Sequence, residues 1–172
     1  MTWIEVADSA VKIGLGALIT GIIAFILSTI QHRNDRKKAK VAREFEMLKE
    51  VAGKVETFNR VSLRYWANIT DWRARSLLSG IYTKPEKLID SQNALYDSFS
   101  ELTEAESLLL LFGYEEASIS LRLYGETVIA FKKRVDSTDL RFDADDAANY
   151  RESMINKRAE LFKILNNIYK KI

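Results

Sequence analysis

Ala117-Ser118-Ile119-Ser120-Leu121-Arg122-Leu123-Tyr124-Gly125-Glu126-Thr127-Val128-Ile129-Ala130-Phe131-Lys132-Lys133-Arg134-Val135 is the stretch on which the fold turns. Ala117, Leu121, Tyr124, Val128, Phe131 and Val135 recur at alternating steps of four and three residues. A helix of 3.6 residues per turn gathers such a series on one face, so this is a helix with a buried heptad stripe. Glu115 and Glu116 stand just before it, where the positive end of the helix dipole favours acids.

The same period continues on both sides. Upstream, Leu88, Leu95, Phe99, Leu102, Leu109 and Phe112 mark a second helix that stops at Gly113, a natural residue for the left-handed turn after a helix. Its start is expected at Thr83-Lys84-Pro85-Glu86, which has the spacing of a capping box and puts the only proline in the first turn. Before Gly80, the residues Phe45, Leu48, Ala52, Val55, Phe58, Ser62, Tyr65, Ile69, Trp72 and Ser76 form a long stripe with nothing that obliges a break. Downstream, a polar stretch from Asp136 to Leu140 and then Arg141-Phe142 lead to Asp143, a good N-cap for a last helix carrying Met154, Leu161, Leu165, Ile168 and Ile172. No alternating run bounded by turns reads as a strand. Residues 44–172 are therefore expected to be an all-α, antiparallel four-helix bundle with coiled-coil-like seams.

The first helix is too long for that bundle. At ~1.5 Å per residue, residues 32–79 would reach about 72 Å, against roughly 35–44 Å for the other three helices. The excess falls on residues 32–43, which are expected to act as a stalk. This segment holds Arg33, Arg36, Lys37, Lys38, Lys40 and Arg43 against the single acid Asp35. It also accounts for the charge: residues 1–43 carry seven bases and three acids, leaving 19 bases and 21 acids for the rest of a chain whose net charge is +2.

Before the stalk, Ile13 to Gln31 is a run of 19 residues without a charge. As a helix it would span about 28 Å, close to the hydrocarbon thickness of a bilayer. Residues 1–31 thus read as a short outside-facing N-terminus and a single transmembrane helix, with the basic collar holding residues 44–172 in the cytoplasm. Glu5 and Asp8 ahead of the run argue against a cleaved signal peptide. Ala10, Gly14, Ala17, Gly21, Ala24 and Ser28 recur at steps of four and three, a seam of small residues that would let two such helices approach closely in lipid. Homo-oligomerisation through this seam is expected; the plain alternative is that Gly and Ala are simply common in membrane helices.

Composition narrows the chemistry. There is no cysteine and one histidine, His32, so thiol nucleophiles, Cys-based metal sites and His-rich metal sites are excluded. The Glu-x-x-His pairs of di-iron bundles are absent, as are phosphate loops and nucleophile elbows. No catalytic residue, metal or cofactor is expected. The most unusual stretch is Arg60 to Arg75, which mixes bases with aromatics. Arg60, Arg64, Asn68 and Arg75 make a face separate from the core stripe and Trp66 lies near the stripe's edge, a combination typical of protein interfaces. The competing assignment is a wide aromatic core ringed by snorkelling arginines. The slightly acidic body argues against nucleic acid as the partner.

In layout the chain resembles many small bacterial and phage membrane proteins with a Gly-rich anchor, a basic collar and a helical body. That resemblance implies a bacterial inner membrane and carries no residue assignments. The expectation is a non-enzymatic, membrane-anchored adaptor or effector subunit that presents a cytoplasmic bundle to a protein partner. The alternative is a holin-like or phage-exclusion protein whose assembled spans permeabilise the membrane.

Overall fold

A computed structural model describes the backbone of residues 3–136 and 143–172, with side chains at 25, 27–29, 31–136 and 143–172. The protein is all-α, with helices α1 (Trp3–Ser79), α2 (Glu86–Leu111), α3 (Glu115–Asp136) and α4 (Ala144–Tyr169), and no strand among the described residues. It divides into two compact units, Met1–Arg43 and Glu44–Ile172.

Cross-helix pairs fix the topology of the second unit. Between α1 and α4, Phe45 meets Tyr169, Glu56 pairs with Arg158 and Trp66 bonds to Ala147, so one number falls as the other rises and the helices are antiparallel. Lys54 reaches Glu101 and Glu104, and Phe58 meets Phe99, setting α2 antiparallel to α1. Glu106–Arg122 and Tyr96–Lys132 do the same for α2 and α3, as Phe131–Tyr150 and Arg134–Asp146 do for α3 and α4. Phe58–Tyr124 and Tyr65–Phe131 climb together, so α1 and α3 run parallel across the diagonal. These two pairs are edge-on, with centroids 5.5 and 6.0 Å apart, the geometry that ring quadrupoles prefer. The unit is an up-down-up-down bundle closed along its axis by aromatic rings.

All six heptad residues of α3 are buried. The α1 stripe is shifted at its start: Met47 and Val51 are buried, whereas Phe45 is 44% exposed with Tyr169 against it, and Ala52 and Trp72 are half-buried. Phe99 in α2 and Phe112 just after it are also half-buried, while Ser91 and Ser98 join Leu88, Leu95, Leu102 and Leu109 inside. Each of these serines returns its hydroxyl proton to a carbonyl of its own helix, at Leu88 and Leu95, so neither is an unsatisfied buried group.

The turn after α2 follows from Gly113, whose φ of 78° admits paired closing bonds from Gly113 N–H to Leu110 O and from Tyr114 N–H to Leu109 O. Asp143 caps α4 by accepting the Asp146 N–H at 2.8 Å. The expected capping box at Thr83 does not form. The N-cap of α2 is Pro85, with no capping side chain, so Thr83 lies two positions too early, and its carbonyl takes the indole N–H of Trp72 instead.

Among the described residues, no helix is long and apolar enough to cross a membrane. Most side chains of the 13–31 run, and the small residues Ala10, Gly14, Ala17, Gly21 and Ala24, lie outside the described set, as does the polar segment 137–142. Ser28 and the collar residues Arg33, Arg36, Lys37, Lys38, Lys40 and Arg43 are exposed.

Candidate partner-binding cleft

Of the four residues proposed as a partner face, the three arginines are exposed and Trp66 is half-buried. Arg60 and Arg64 are exposed on α1. Trp66 is half-buried against α4: its Nε1 donates to Ala147 O at 2.8 Å, and the Arg151 guanidinium lies 5.6 Å from its ring centroid. Arg75 sits a further two turns along, gripping Asp71 with Nε and a terminal nitrogen. Trp66 is thus a structural contact between helices, while Arg75 belongs to a different place.

That place is a cleft of about 340 Å³ where the end of α1 meets the start of α2. Trp72, Ile81, Pro85 and Leu88 supply its apolar surface, and Asn68, Asp71, Arg75, Ser76, Ser79, Thr83 and Lys87 its polar one. The volume is at the low end for ligand-sized pockets. Most polar groups are engaged locally. Asp71 is held by Arg75, Ser79 Oγ donates to Arg75 O and accepts the Ile81 N–H, and Trp72 Nε1 donates to Thr83 O at 3.0 Å. Lys87 makes no hydrogen bond or ion pair among the described residues, and Asn68 Nδ2 is buried without an acceptor. Around the cleft, Leu77, Leu78, Ile81 and Tyr82 are exposed, Leu78 to 90%. The left-handed Gly80, with φ 69°, turns the chain between the two pairs.

A second polar group lies under this end of the bundle. Tyr65 is completely buried and its hydroxyl has no partner; burial, and then the Asp136 carboxylate, push it up to about 12. Lys132 bonds Asp136 at 2.6 Å and stands 4.9 Å from the Tyr96 ring centroid, and the bond to Asp136, followed by Tyr96, raises its ammonium above the usual lysine range. Nearer the other end, Glu104 and then Glu101 do the same for Lys54. The Lys54 pairs tie α1 to α2, whereas the Lys132–Asp136 pair lies within α3. Among the described residues, no group of acids and histidine is arranged to hold a metal ion.

Sequence reasoning placed Asn68 beside Arg64 and Arg75 but assigned Trp72 to the core and passed over Lys87 and Leu77-Leu78. A signal was present: a leucine pair beyond the last buried position of α1, followed across a glycine by Ile81-Tyr82, is apolar surface with no stripe to join. The chain matches no family model, and no curated protein or solved structure gives a significant match to it.

Proposed function

We propose that this protein is a non-enzymatic, membrane-anchored adaptor or effector subunit. In this reading residues 13–31 cross the membrane, residues 32–43 hold the positive side in the cytoplasm, and the bundle of residues 44–172 presents its α1–α2 corner to a protein partner. The observation that carries it is the 19-residue uncharged run followed at once by six bases and one acid. Phe25, 74% exposed, and Leu27, 54% exposed, support it, because large apolar side chains without protein neighbours suit lipid. The exposed apolar turn at Leu77, Leu78, Ile81 and Tyr82 supports the partner-binding half.

Because the chain has no cysteine, single introduced thiols test the topology. Thr2→Cys should react with an impermeant reagent in intact cells, and Ile172→Cys only after lysis. Labelling of both from outside, or recovery of the protein in the soluble fraction, would refute the reading. Self-association through the small-residue seam is tested by Gly14→Leu with Gly21→Leu, which should lower the oligomer size in detergent where Ile22→Leu does not.

The regular seam also favours a second reading, in which the assembled spans permeabilise the membrane. Overexpression would then depolarise cells, and the Gly14→Leu, Gly21→Leu protein would not.

A further inference from the structure

We infer that the α1–α2 cleft binds a short acidic and apolar peptide segment of a partner protein. The inference deepens the partner-binding half of the proposed function and rests on it; it does not depend on the membrane anchor.

The chemistry of the occupant follows from what the cleft leaves unfulfilled. Asp71, the only lining carboxylate among the described residues, is taken by Arg75, so that pair presents little net charge. Lys87 is an ammonium without a counter-charge among the described residues. Asn68 Nδ2 is a buried donor without an acceptor in the wall of the cleft. Pro85 caps α2 with no side-chain bond, leaving the first-turn amides of Glu86 and Lys87 uncapped beside Lys87 itself. Donors are in surplus, so the ligand must bring acceptors, and a positive balance selects an anionic one.

Size and surroundings identify a peptide rather than a free ion. A cleft of about 340 Å³ floored by Trp72, Pro85 and Leu88 is far larger than a carboxylate and would bury an apolar side chain next to it. The exposed Leu77, Leu78, Ile81 and Tyr82 continue the apolar surface past the cleft, beyond what a small molecule would cover.

The test uses the full-length chain in maltoside micelles and three tetrapeptides carrying an uncharged dye, each with a central Leu-Phe pair flanked by Asp, Asn or Lys. Fluorescence anisotropy, corrected with empty micelles, reads binding. The Asp peptide should bind about tenfold tighter than the Asn peptide, and the Lys peptide should not bind measurably. Lys87→Glu, a change at an exposed position, should abolish the preference for Asp, whereas Lys163→Glu, exposed on α4, should leave it intact. Equal affinity for all three peptides, an equal effect of Lys163→Glu, or full competition by N-acetylphenylalanine at the same concentration as the peptide would overturn the proposal. None of these outcomes bears on anchoring or self-association, which thiol labelling and oligomer size report separately.

Discussion

The indole N–H of Trp66 on α1 donates to the carbonyl oxygen of Ala147 in the first turn of α4, at 2.8 Å across 81 residues of chain. The contact makes Trp66 a fastener between the first and last helices. Trp66→Ala should destabilise the protein by about 3 kcal/mol, the low end of the range for large buried aromatics because the ring is only half-buried. Trp66→Phe, which keeps most of the packing and loses the bond, should cost about 1 kcal/mol. Exposed Arg64→Ala should change stability by less than about 0.5 kcal/mol. Denaturant melts of the full chain in detergent check all three.

Two buried tyrosines differ by one hydrogen bond. Tyr124 donates to Asn59 Oδ1 at 3.0 Å, while the Tyr65 hydroxyl has no partner. Tyr124→Phe should therefore lower stability by about 1 kcal/mol, and Tyr65→Phe should be neutral or raise it by about the same amount, since it removes an unsatisfied polar group. A destabilised Tyr65→Phe in the same melts would mean that its hydroxyl is satisfied.

The Tyr65 phenol also makes stability depend on alkaline pH. Below pH 10 the folded and unfolded chains both keep its proton. From 10 to about 12 the unfolded chain releases the proton and the folded one retains it, so stability falls as pH climbs through that window. Tyr65→Phe should flatten part of the decline. Burial raises the Tyr124 phenol as well, so some slope remains in the variant. Midpoints of urea unfolding at pH 9, 10, 11 and 12 for both proteins measure the difference.

Gly53 and Gly113 both have open space where a Cβ would stand, but only Gly113 has a left-handed backbone. Gly53→Ala, in the middle of α1, should stabilise by about 0.5–1 kcal/mol. Gly113→Ala should destabilise by about 1–2 kcal/mol through backbone strain alone. Thermal melts of the two variants should shift in opposite directions.

The features legible in the sequence were those decided within one helix or one turn. The six-residue stripe of α3, the Gly113 stop and the Asp143 cap depend on neighbours three to six residues away, and periodicity carries that information. Periodicity names a helix face without saying what covers it. Trp66 could be read as surface or core because the deciding atom, Ala147 O, is supplied by α4. Phe45 fitted the α1 stripe but lies near the bundle's end, where Tyr169 leaves it partly open. Thr83 had the letters of a capping box, yet the Trp72 indole holds the backbone of that turn and α2 begins at Glu86. The cleft was hidden for the same reason: it is made by the meeting of two helix ends, and Lys87 acquires meaning only beside Asn68 and Trp72.

The pairing of Glu56 with Arg158 sets a timetable for synthesis. The two residues are 102 positions apart, and at roughly 5–20 residues per second a ribosome needs about 5–20 s to deliver the second after the first. Throughout that interval α2 and α3 can fold back on α1, while the flank of α1 around Trp66 stays open until α4 arrives. A chain that stalls before residue 144 would leave that aromatic flank bare, so closure of the bundle waits for α4.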